Sequence, residues 1–173
     1  MTAYGDEVRG RAKAIALEQL AEGGPEAVSV NAIGRRMGVS GPALYRHFAN
    51  RDDLLAALTL DAYEALAAAL AGGDGIDAIA HAYREWALAQ PHRYALLFGP
   101  PVPGFDAHRE DLVAAARKAM DTLMATLGTD DLERATLAWS RLHGLTSLEL
   151  GGNFGSMGLD GRALLERELG AGF

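Results

Sequence analysis

The segment between residues 29 and 54 constrains the fold more than any other, because its pattern specifies two short helices and the turn between them. Val30, Ile33 and Met37 recur at the spacing of one helical face, so the first helix has an apolar side. Gly38 follows directly, and glycine readily adopts the positive φ that ends a helix. The pattern therefore predicts a short amphipathic helix that ends at Gly38.

The second helix of the segment begins after a tight turn. Ser29 and Ser40 are good N-cap residues for the two helices, and Pro42 falls in the first turn of the second, where its missing N–H costs no hydrogen bond. Leu44 and Phe48 are four residues apart and hold the second helix against the first. Small, aromatic and basic residues remain on the outer face. This arrangement predicts a helix-turn-helix whose second helix can enter the major groove of DNA.

A longer run, GVSGPALYRHFANRDDLL, resembles the tetracycline-repressor (TetR) family of transcriptional regulators. In that family a Gly-Val turn leads into Leu-Tyr-x-His-Phe and then a basic residue before the next helix. The matching positions are Val39, Leu44, Tyr45, His47, Phe48, Arg51 and Leu54. The sequence departs from the family at Gly34, where alanine is usual, and glycine within a helix costs about 1 kcal/mol relative to alanine. We expect the helix packing to survive this change.

The C-terminal part of the chain carries a second resemblance. The stretches YREWALAQPHRYALLFG (83–99) and WSRLHGLTSLELGGNF (139–154) are similar to the C-terminal domain of a TetR subgroup with a tryptophan followed by His-Gly in a long helix. Together the two resemblances cover most of the chain. They imply a DNA-binding head followed by a helical body that binds a small ligand and forms a homodimer.

Glycine and proline breaks divide the chain into helices, and no segment has the pattern of a strand. The sequence predicts an all-α protein of about nine helices, with a three-helix helix-turn-helix head in residues 1–50 and a ligand-binding and dimerisation body in residues 51–173. Outside the motif, the predicted helices cover residues 6–22, 51–71, 76–90, 91–98, 105–127, 130–150 and 160–169. The stretch GGNFGSMG, residues 151–158, is predicted to be a loop.

Charge is distributed unevenly along the chain. The whole protein carries a net charge of −7, yet residues 1–51 hold seven Lys and Arg against five Asp and Glu, a net charge of +2. The remaining residues carry −9. A basic head on an acidic body would approach DNA head first, and so small a positive charge predicts weak binding by a single protomer.

Several classes of protein are excluded by what the sequence lacks. It contains no apolar stretch long enough to span a membrane, and the mixed charges at its N-terminus are not those of a signal peptide, so we expect no membrane contact. A cytoplasmic location is expected mainly because the protein is predicted to bind DNA. Cysteine is absent, which excludes disulfides and thiolate chemistry. The histidines lack HExxH spacing, and the glycine-rich stretch at 151–158 matches neither a dinucleotide-binding nor a phosphate-binding loop. We therefore expect no enzyme activity, metal or cofactor.

Contacts with the DNA backbone are predicted on the helix-turn-helix. The Ser29 hydroxyl, beside the free N–H groups that begin the first helix, suits a phosphate. The family resemblance implies that Tyr45, His47 and Arg51 also contact the backbone. Each has an alternative interpretation: Tyr45 as a packing aromatic, His47 as a plain helix-end residue, and Arg51 as the ion-pair partner of a neighbouring aspartate.

Base recognition depends on fewer side chains. Gly41, Pro42 and Ala43 allow close approach and can touch a thymine methyl group. Asn31 and Arg46 can form directional hydrogen bonds to base edges, while the alternative for Arg46 is a phosphate contact or a solvated side chain. The complete predicted set is Ser29, Asn31, Ser40, Gly41, Pro42, Ala43, Tyr45, Arg46, His47 and Arg51. Because so few side chains contact bases, we expect two heads to bind together on a palindromic operator. The two heads would lie about 34–36 Å apart, or a multiple of that distance.

A homodimer interface is expected on the last two long helices, as in the family. The residues predicted for it are Leu137, Arg141, Gly144, Leu145, Leu148, Leu164 and Leu165. They form a stripe of small and apolar side chains at helical spacing. The alternative is that these leucines belong only to the core of each protomer.

Aromatic and sulfur-containing residues are plentiful in the predicted body. Those predicted to line a ligand pocket are Tyr83, Trp86, Tyr94, Phe98, Phe105, Met120, Met124, Trp139 and His143. A cavity of this composition would suit a flat or apolar molecule, and His143 is its best polar candidate. The alternative is ordinary core, because such residues at helical spacing usually pack in the interior.

These features together predict a homodimeric transcriptional repressor that a small-molecule effector releases from double-stranded DNA. The helix predicted at 51–71 would be the lever between head and body, and the effector would shift the population toward a state that does not bind DNA. One alternative is a DNA-binding regulator without a ligand, controlled by a protein partner. A second alternative is a helical enzyme or binding protein whose head no longer binds DNA.

Overall fold

The computed structural model describes residues 3–71 and 73–172, and over these residues it contains only helices, turns and loops. This confirms the predicted all-α fold. Ten α-helices are present in this part of the chain: α1 Ala3–Gly23, α2 Val30–Met37, α3 Gly41–Tyr45, α4 Arg51–Leu70, α5 Gly75–Ala89, α6 Pro91–Phe98, α7 Glu110–Thr126, α8 Leu132–Leu150, α9 Asn153–Ser156 and α10 Gly161–Ala171. A short 3-10 helix, Pro25–Ala27, lies between α1 and α2.

The chain divides into two compact units. The first contains the residues up to Ala62 together with His92–Val113, and the second contains Tyr63–Pro91 and the residues from Ala114 onward. The boundaries therefore fall within α4, after the first residue of α6, and within α7. The predicted division after residue 50 follows the sequence motif rather than this packing, and it stays a prediction.

The first unit has a hydrophobic core built on α1. Buried residues of α1 that form one wall of this core are Val8, Ala12, Ala16 and Leu20. Ile33 of α2, Leu44 of α3 and Leu54 of α4 meet this wall and have no exposed surface. Leu96 of α6 also belongs to the core, and Phe105 of the following loop packs against it. The helix-turn-helix is therefore stabilised by apolar burial that includes a segment distant in sequence.

The long helix predicted to begin at Phe105 begins instead at Glu110, so this prediction is wrong. Gly104 adopts a left-handed φ of 79°, and the N–H of Phe105 donates to the carbonyl of Val102 at 3.1 Å, which closes a turn. The Phe105 ring packs against the core of the first unit. Because this tertiary contact competes with the local helical pattern, the segment before Glu110 is a loop.

The short helix α9 accounts for the difference between the predicted nine helices and the ten observed. Residues 151–158, predicted to be a loop, contain this four-residue helix. Gly152 precedes it with a φ of 72°, and Phe154 within it is buried. Burial of this one aromatic ring anchors a segment whose glycine content alone predicts a loop.

The second unit is organised around α8, which packs against α5, α9 and α10. Asp131 and Asp160 cap α8 and α10 by accepting hydrogen bonds from backbone N–H groups of the first turn. Arg84 of α5 and Glu149 of α8 form a bidentate ion pair with N–O distances of 2.7 and 2.5 Å. Since both side chains are mostly buried, the pair ties α5 firmly to α8.

Candidate nucleic-acid interface

The helix α2 begins and ends where the sequence predicts. The Ser29 hydroxyl accepts a hydrogen bond from the N–H of Ala32 at 3.3 Å and so caps the helix. The Ser29 N–H donates to the side-chain oxygen of Gln19 at 3.0 Å, which connects this cap to α1. Gly38 ends the helix with a left-handed φ of 70°. Both ends of α2 are therefore fixed by contacts that the local sequence specifies.

The helix α3 corresponds to the second helix of the motif and is only five residues long. Ser40 is at its N-cap position, but the hydroxyl makes no capping hydrogen bond, so the predicted side-chain cap is wrong. The reason is local: Pro42 has no N–H to donate, and the N–H of Ala43 donates to the Ser40 carbonyl at 3.0 Å instead. The Ser40 side chain is exposed on the outer surface.

The residues predicted to contact DNA surround the start of α3. Exposed among them are Asn31, Ser40, Pro42, Tyr45 and Arg46. Half-buried among them are Ser29, Gly41, Ala43, His47 and Arg51. The side-chain oxygen of Asn31 lies 3.7 Å from the point that a Cβ on Gly41 would occupy. Asn31 on α2 and the small residues that begin α3 therefore form one continuous surface.

Arg9 of α1, which no sequence pattern singles out, holds the C-terminal end of this segment. Its guanidinium donates to the carbonyl of His47 and lies 4.5 Å from the centre of the Phe48 ring. Phe48 is itself completely buried. Because the hydrogen bond joins residues 38 positions apart, local periodicity could not reveal it. Arg9 is therefore a positioning residue for the segment that directly follows α3.

Arg51 is engaged with the backbone of its own chain. Its Nε and Nη2 atoms donate to the carbonyls of Val28 and Pro25 at 3.2 and 2.7 Å. Its Nη1 atom lies 3.7 Å from a carboxylate oxygen of Asp52, as the alternative interpretation of Arg51 expects. These contacts tie the 3-10 helix before α2 to the first turn of α4. A phosphate contact by Arg51 stays a prediction.

Four of the seven basic residues in positions 1–51 contact other groups of the protein. Lys13 and Arg36 form ion pairs with carboxylates at 2.7 and 2.6 Å, and Arg9 and Arg51 make the contacts described above. The basic residues of this region that are exposed and make no ion pair within the described chain are Arg11, Arg35 and Arg46. These three cations are the best placed to meet phosphates or base edges.

Comparison with known families identifies the fold. Residues 14–58 match the family described as bacterial regulatory proteins, tetR family, and residues 76–171 match the tetracyclin repressor-like C-terminal domain. This chain belongs to the TetR family. The second match includes Trp139 and the pair His143-Gly144, on which the resemblance of the body depends.

Individual TetR-family relatives agree with this assignment. The HTH-type transcriptional regulator Rv1816 of Mycobacterium tuberculosis is 33% identical over 141 residues, which are 73% of this chain and 60% of the relative. The chain thus spans about three-fifths of the length of the curated relatives that it matches first. The regulatory protein SCO4313, whose crystal structure is known, has 42% sequence identity to this chain and a TM-score of 0.89. The match covers 97% of this chain and 96% of SCO4313. A possible TetR family transcriptional regulator from Streptomyces coelicolor A3(2) is 27% identical with a TM-score of 0.54, covering 82% and 71%.

The matched tetR family consists of bacterial regulatory proteins, and Rv1816 is an HTH-type transcriptional regulator; neither is an enzyme, as the sequence predicts. In residues 3–71 and 73–172, no group of three His, Asp or Glu side chains could hold a metal ion. None of the helices described for this TetR-family chain is long and apolar enough to cross a membrane.

The nine residues predicted to line a ligand pocket are distributed over both units. Tyr94, Phe98 and Phe105 lie in the first unit, where Tyr94 and Phe98 form an edge-to-face pair with ring centres 5.1 Å apart. The members of the set that lie in the second unit are Tyr83, Trp86, Met120, Met124, Trp139 and His143. The two groups therefore belong to separately packed regions, and their joint role in a pocket stays a prediction.

A hydrogen-bonded chain connects α5 and α8 in the second unit. The Tyr83 hydroxyl lies 3.3 Å from Nδ1 of His143, and Nε2 of the same ring lies 3.4 Å from the Ser147 hydroxyl. The Trp139 ring packs against the imidazole with ring centres 5.1 Å apart. Burial lowers the pKa of His143, so the imidazole is neutral at pH 7. The sequence singled out His143 and Tyr83 but did not predict their contact.

An open cleft of about 510 Å³ lies in another part of the second unit. Its lining residues are Leu70, Ala71, Gly73, Asp74, Gly75, Ile79, Thr122, Ala125 and Thr126. They come from the end of α4, the connection that follows it, the start of α5 and the end of α7. Since this set contains none of the nine residues predicted for the pocket, the cleft does not test that prediction.

The residues predicted for a dimer interface differ widely in exposure. Exposed among them are Leu137, Arg141 and Leu148, and half-buried are Gly144, Leu145 and Leu164. Leu165 is 1% exposed and belongs to the core of the protomer, as the alternative interpretation expects. Other large apolar side chains exposed in the second unit, outside the predicted set, are Leu88, Leu132, Met157 and Leu159.

Proposed function

We propose that this TetR-family protein is a homodimeric transcriptional repressor that binds a palindromic DNA operator and is released from it by a small-molecule effector. The observation that carries the proposal is the surface around α3, where small residues leave room for a base pair and two polar side chains, Asn31 and Arg46, are exposed. Readout in the major groove requires this combination. Because its proposed partner is DNA, we place the protein in the cytoplasm.

Each DNA contact in this proposal has its own role. Arg46 is exposed just beyond the end of α3, and a bidentate bond to guanine O6 and N7 would contribute about 1–3 kcal/mol of discrimination. Asn31 would read a second base edge. Arg11 and Arg35 would meet phosphates, which adds affinity without sequence preference. Ser29, Tyr45 and His47 would complete the predicted backbone contacts.

Dimerisation is required in this proposal because one head offers few contacts. On α8, the exposed residues Leu137, Arg141 and Leu148 share a face with Gly144, at intervals of three to four residues. Apart from its chain neighbours and the backbone of its own helix, a Cβ at Gly144 would meet no atom of the described residues within 4 Å. An exposed face with two leucines and a small residue near its centre suits close packing against the same helix of a second copy.

Release by an effector is supported by the construction of the second unit. Polar groups of Tyr83, His143 and Ser147 lie inside the packed pair α5 and α8, where they could recognise a ligand. The helices α4 and α7 each contain residues of both units. A ligand that favours one arrangement of the second unit could therefore act on the head through these continuous helices, by shifting populations.

Selection of bound duplexes from a random DNA pool tests the proposal. Wild type, Arg46→Ala and Arg11→Ala are compared at the same salt concentration, because Arg11 is an exposed cation outside the recognition segment. We expect a palindrome from wild type. Arg46→Ala should lose preference at one symmetric position, whereas Arg11→Ala should weaken binding to all sequences equally.

Two results would contradict parts of the proposal. Recovery of no enriched sequence by wild type, even at low salt, would show that the head does not recognise an operator. An enriched sequence without twofold symmetry would contradict the homodimer. If an operator is found but no small molecule lowers the affinity for it, control by a protein partner becomes the better account of regulation.

A further inference from the structure

The indole N–H of Trp86 is a buried hydrogen-bond donor that has no acceptor within the described structure. Trp86 lies on α5 and is only 5% exposed. Leaving such a group unpaired costs about 1–3 kcal/mol relative to a bonded one. Folded proteins keep few groups of this kind, so each one calls for a partner or a functional reason.

Two polar pairs connect α5, the helix that carries Trp86, to α8. Tyr83, one helical turn earlier and also buried, contacts His143 through its hydroxyl. Burial keeps the imidazole of His143 in its neutral form at pH 7. The charged residues that connect the same two helices, Arg84 and Glu149, are bonded to each other through two hydrogen bonds.

We propose that Trp86 donates its indole N–H to the effector and that the effector is an uncharged, mainly apolar molecule carrying a carbonyl oxygen. This inference rests on the proposed release by an effector and specifies the chemistry of that ligand. A ketone, ester or amide supplies the hydrogen-bond acceptor that the indole lacks. The apolar part of such a molecule is only weakly hydrated, so burying it carries little desolvation cost.

Charged ligands fit this site less well. A carboxylate has an acceptor, but it would lose its hydration on burial, and the Arg84 guanidinium is already bonded to Glu149. An ammonium ion offers donors only and so cannot accept from the Trp86 indole. A hydrocarbon leaves the N–H unpaired. These differences make the ligand class testable with molecules of one shape.

Indole resonances provide the measurement, because the chain contains only two tryptophans. The full-length protein is labelled with nitrogen-15, and Trp139→Phe assigns the two indole N–H signals. Four probes that share a six-membered ring are then titrated to millimolar concentrations: cyclohexanone, methylcyclohexane, cyclohexanecarboxylate and cyclohexylammonium. Trp86→Phe is titrated with the same series, and its backbone amide signals report both ligand binding and folding.

We expect cyclohexanone to move the Trp86 indole proton downfield with saturation, and to do so at lower concentration than the other three probes. Loss of this hydrogen bond in Trp86→Phe should weaken cyclohexanone binding about tenfold. The proposal is wrong if no saturable shift occurs with the ketone in wild type. It is also wrong if either ion binds more tightly, or if Trp86→Phe binds the ketone as wild type does.

Failure of this inference can be distinguished from failure of the proposed function. Operator affinity of wild type is measured with and without saturating cyclohexanone. Release of DNA together with the Trp86 shift supports both proposals. A Trp86 shift without release would support the ligand site and contradict its regulatory role, whereas release by a molecule that leaves the Trp86 signal unmoved would contradict the ligand site alone.

Discussion

The carboxylate of Glu149 occupies the space into which any side chain on Gly161 would project. Gly161 is the first residue of α10 and is buried. The same carboxylate accepts two hydrogen bonds from Arg84, so one side chain of α8 is held by α5 and pressed against α10. The glycine is therefore required by its neighbour and not by its own backbone conformation, since its φ is not positive.

Gly161→Ala should lower the free energy of unfolding by about 2 kcal/mol or more, because the new Cβ must displace Glu149 from its pair with Arg84. Chemical denaturation measures the change. Gly170→Ala is the matched control on the same helix, where a Cβ meets nothing within 4 Å and helix propensity should add up to about 1 kcal/mol. Equal effects of the two substitutions would show that the contact with Glu149 is unimportant.

Gly34→Ala should stabilise the head by about 0.5–1 kcal/mol. The new Cβ would lie 3.5 Å from the Val39 carbonyl oxygen and 3.8 Å from Leu44, both ordinary van der Waals distances. Chemical denaturation measures the change. Gly38→Ala should instead lower the free energy of unfolding by about 1 kcal/mol, because Gly38 has a φ of 70°. Destabilisation by Gly34→Ala would mean that α2 and α3 require a closer approach than these distances indicate.

Arg9→Lys should weaken operator binding about fivefold while leaving its salt dependence unchanged. Lysine keeps the charge but loses the planar group that contacts the His47 carbonyl and the Phe48 ring, so α3 is less well positioned. Arg11→Gln serves as the comparison, since removing an exposed cation that meets a phosphate should make the salt dependence shallower. A shallower salt dependence for Arg9→Lys would assign Arg9 to phosphate binding rather than to positioning.

Stability should fall as pH decreases from 7 to 5, and His143 should account for part of the fall. Burial lowers its pKa in the folded state below the ordinary value of 6.5, so the folded protein binds fewer protons than the unfolded chain. Above pH 6.5 the imidazole is mostly neutral in both states. As the pH falls below 6.5, the unfolded chain takes up the proton more readily, which favours unfolding. Unfolding free energies of wild type and His143→Gln, measured at several pH values, should converge as the pH drops. A difference that stays constant would contradict this assignment.

Local interactions account for the parts of the fold that are predictable from the sequence. Ser29 caps α2 through its own hydroxyl, and Gly38 ends the helix with a left-handed backbone, so both boundaries depend on residues within one turn. Pro91 similarly begins α6 as expected. The predicted cap at Ser40 is wrong for a reason that is also local, because the N–H of Ala43 donates to the Ser40 carbonyl instead of the hydroxyl.

The sequence by itself determined nine of the ten helices described, their order and the TetR-family character of the chain, because periodicity, caps and breaks act over a few residues. Only the tertiary structure decided what distant residues do. Leu137 and Leu165 are both leucines on helical faces, yet their exposed fractions are 64% and 1%. The role of Arg9 likewise depends on the carbonyl of His47, which is distant in sequence. The role of the Trp86 indole depends on the lack of a hydrogen-bond acceptor near it. Burial and hydrogen-bond partners are set by the packing of whole helices, which no single segment encodes.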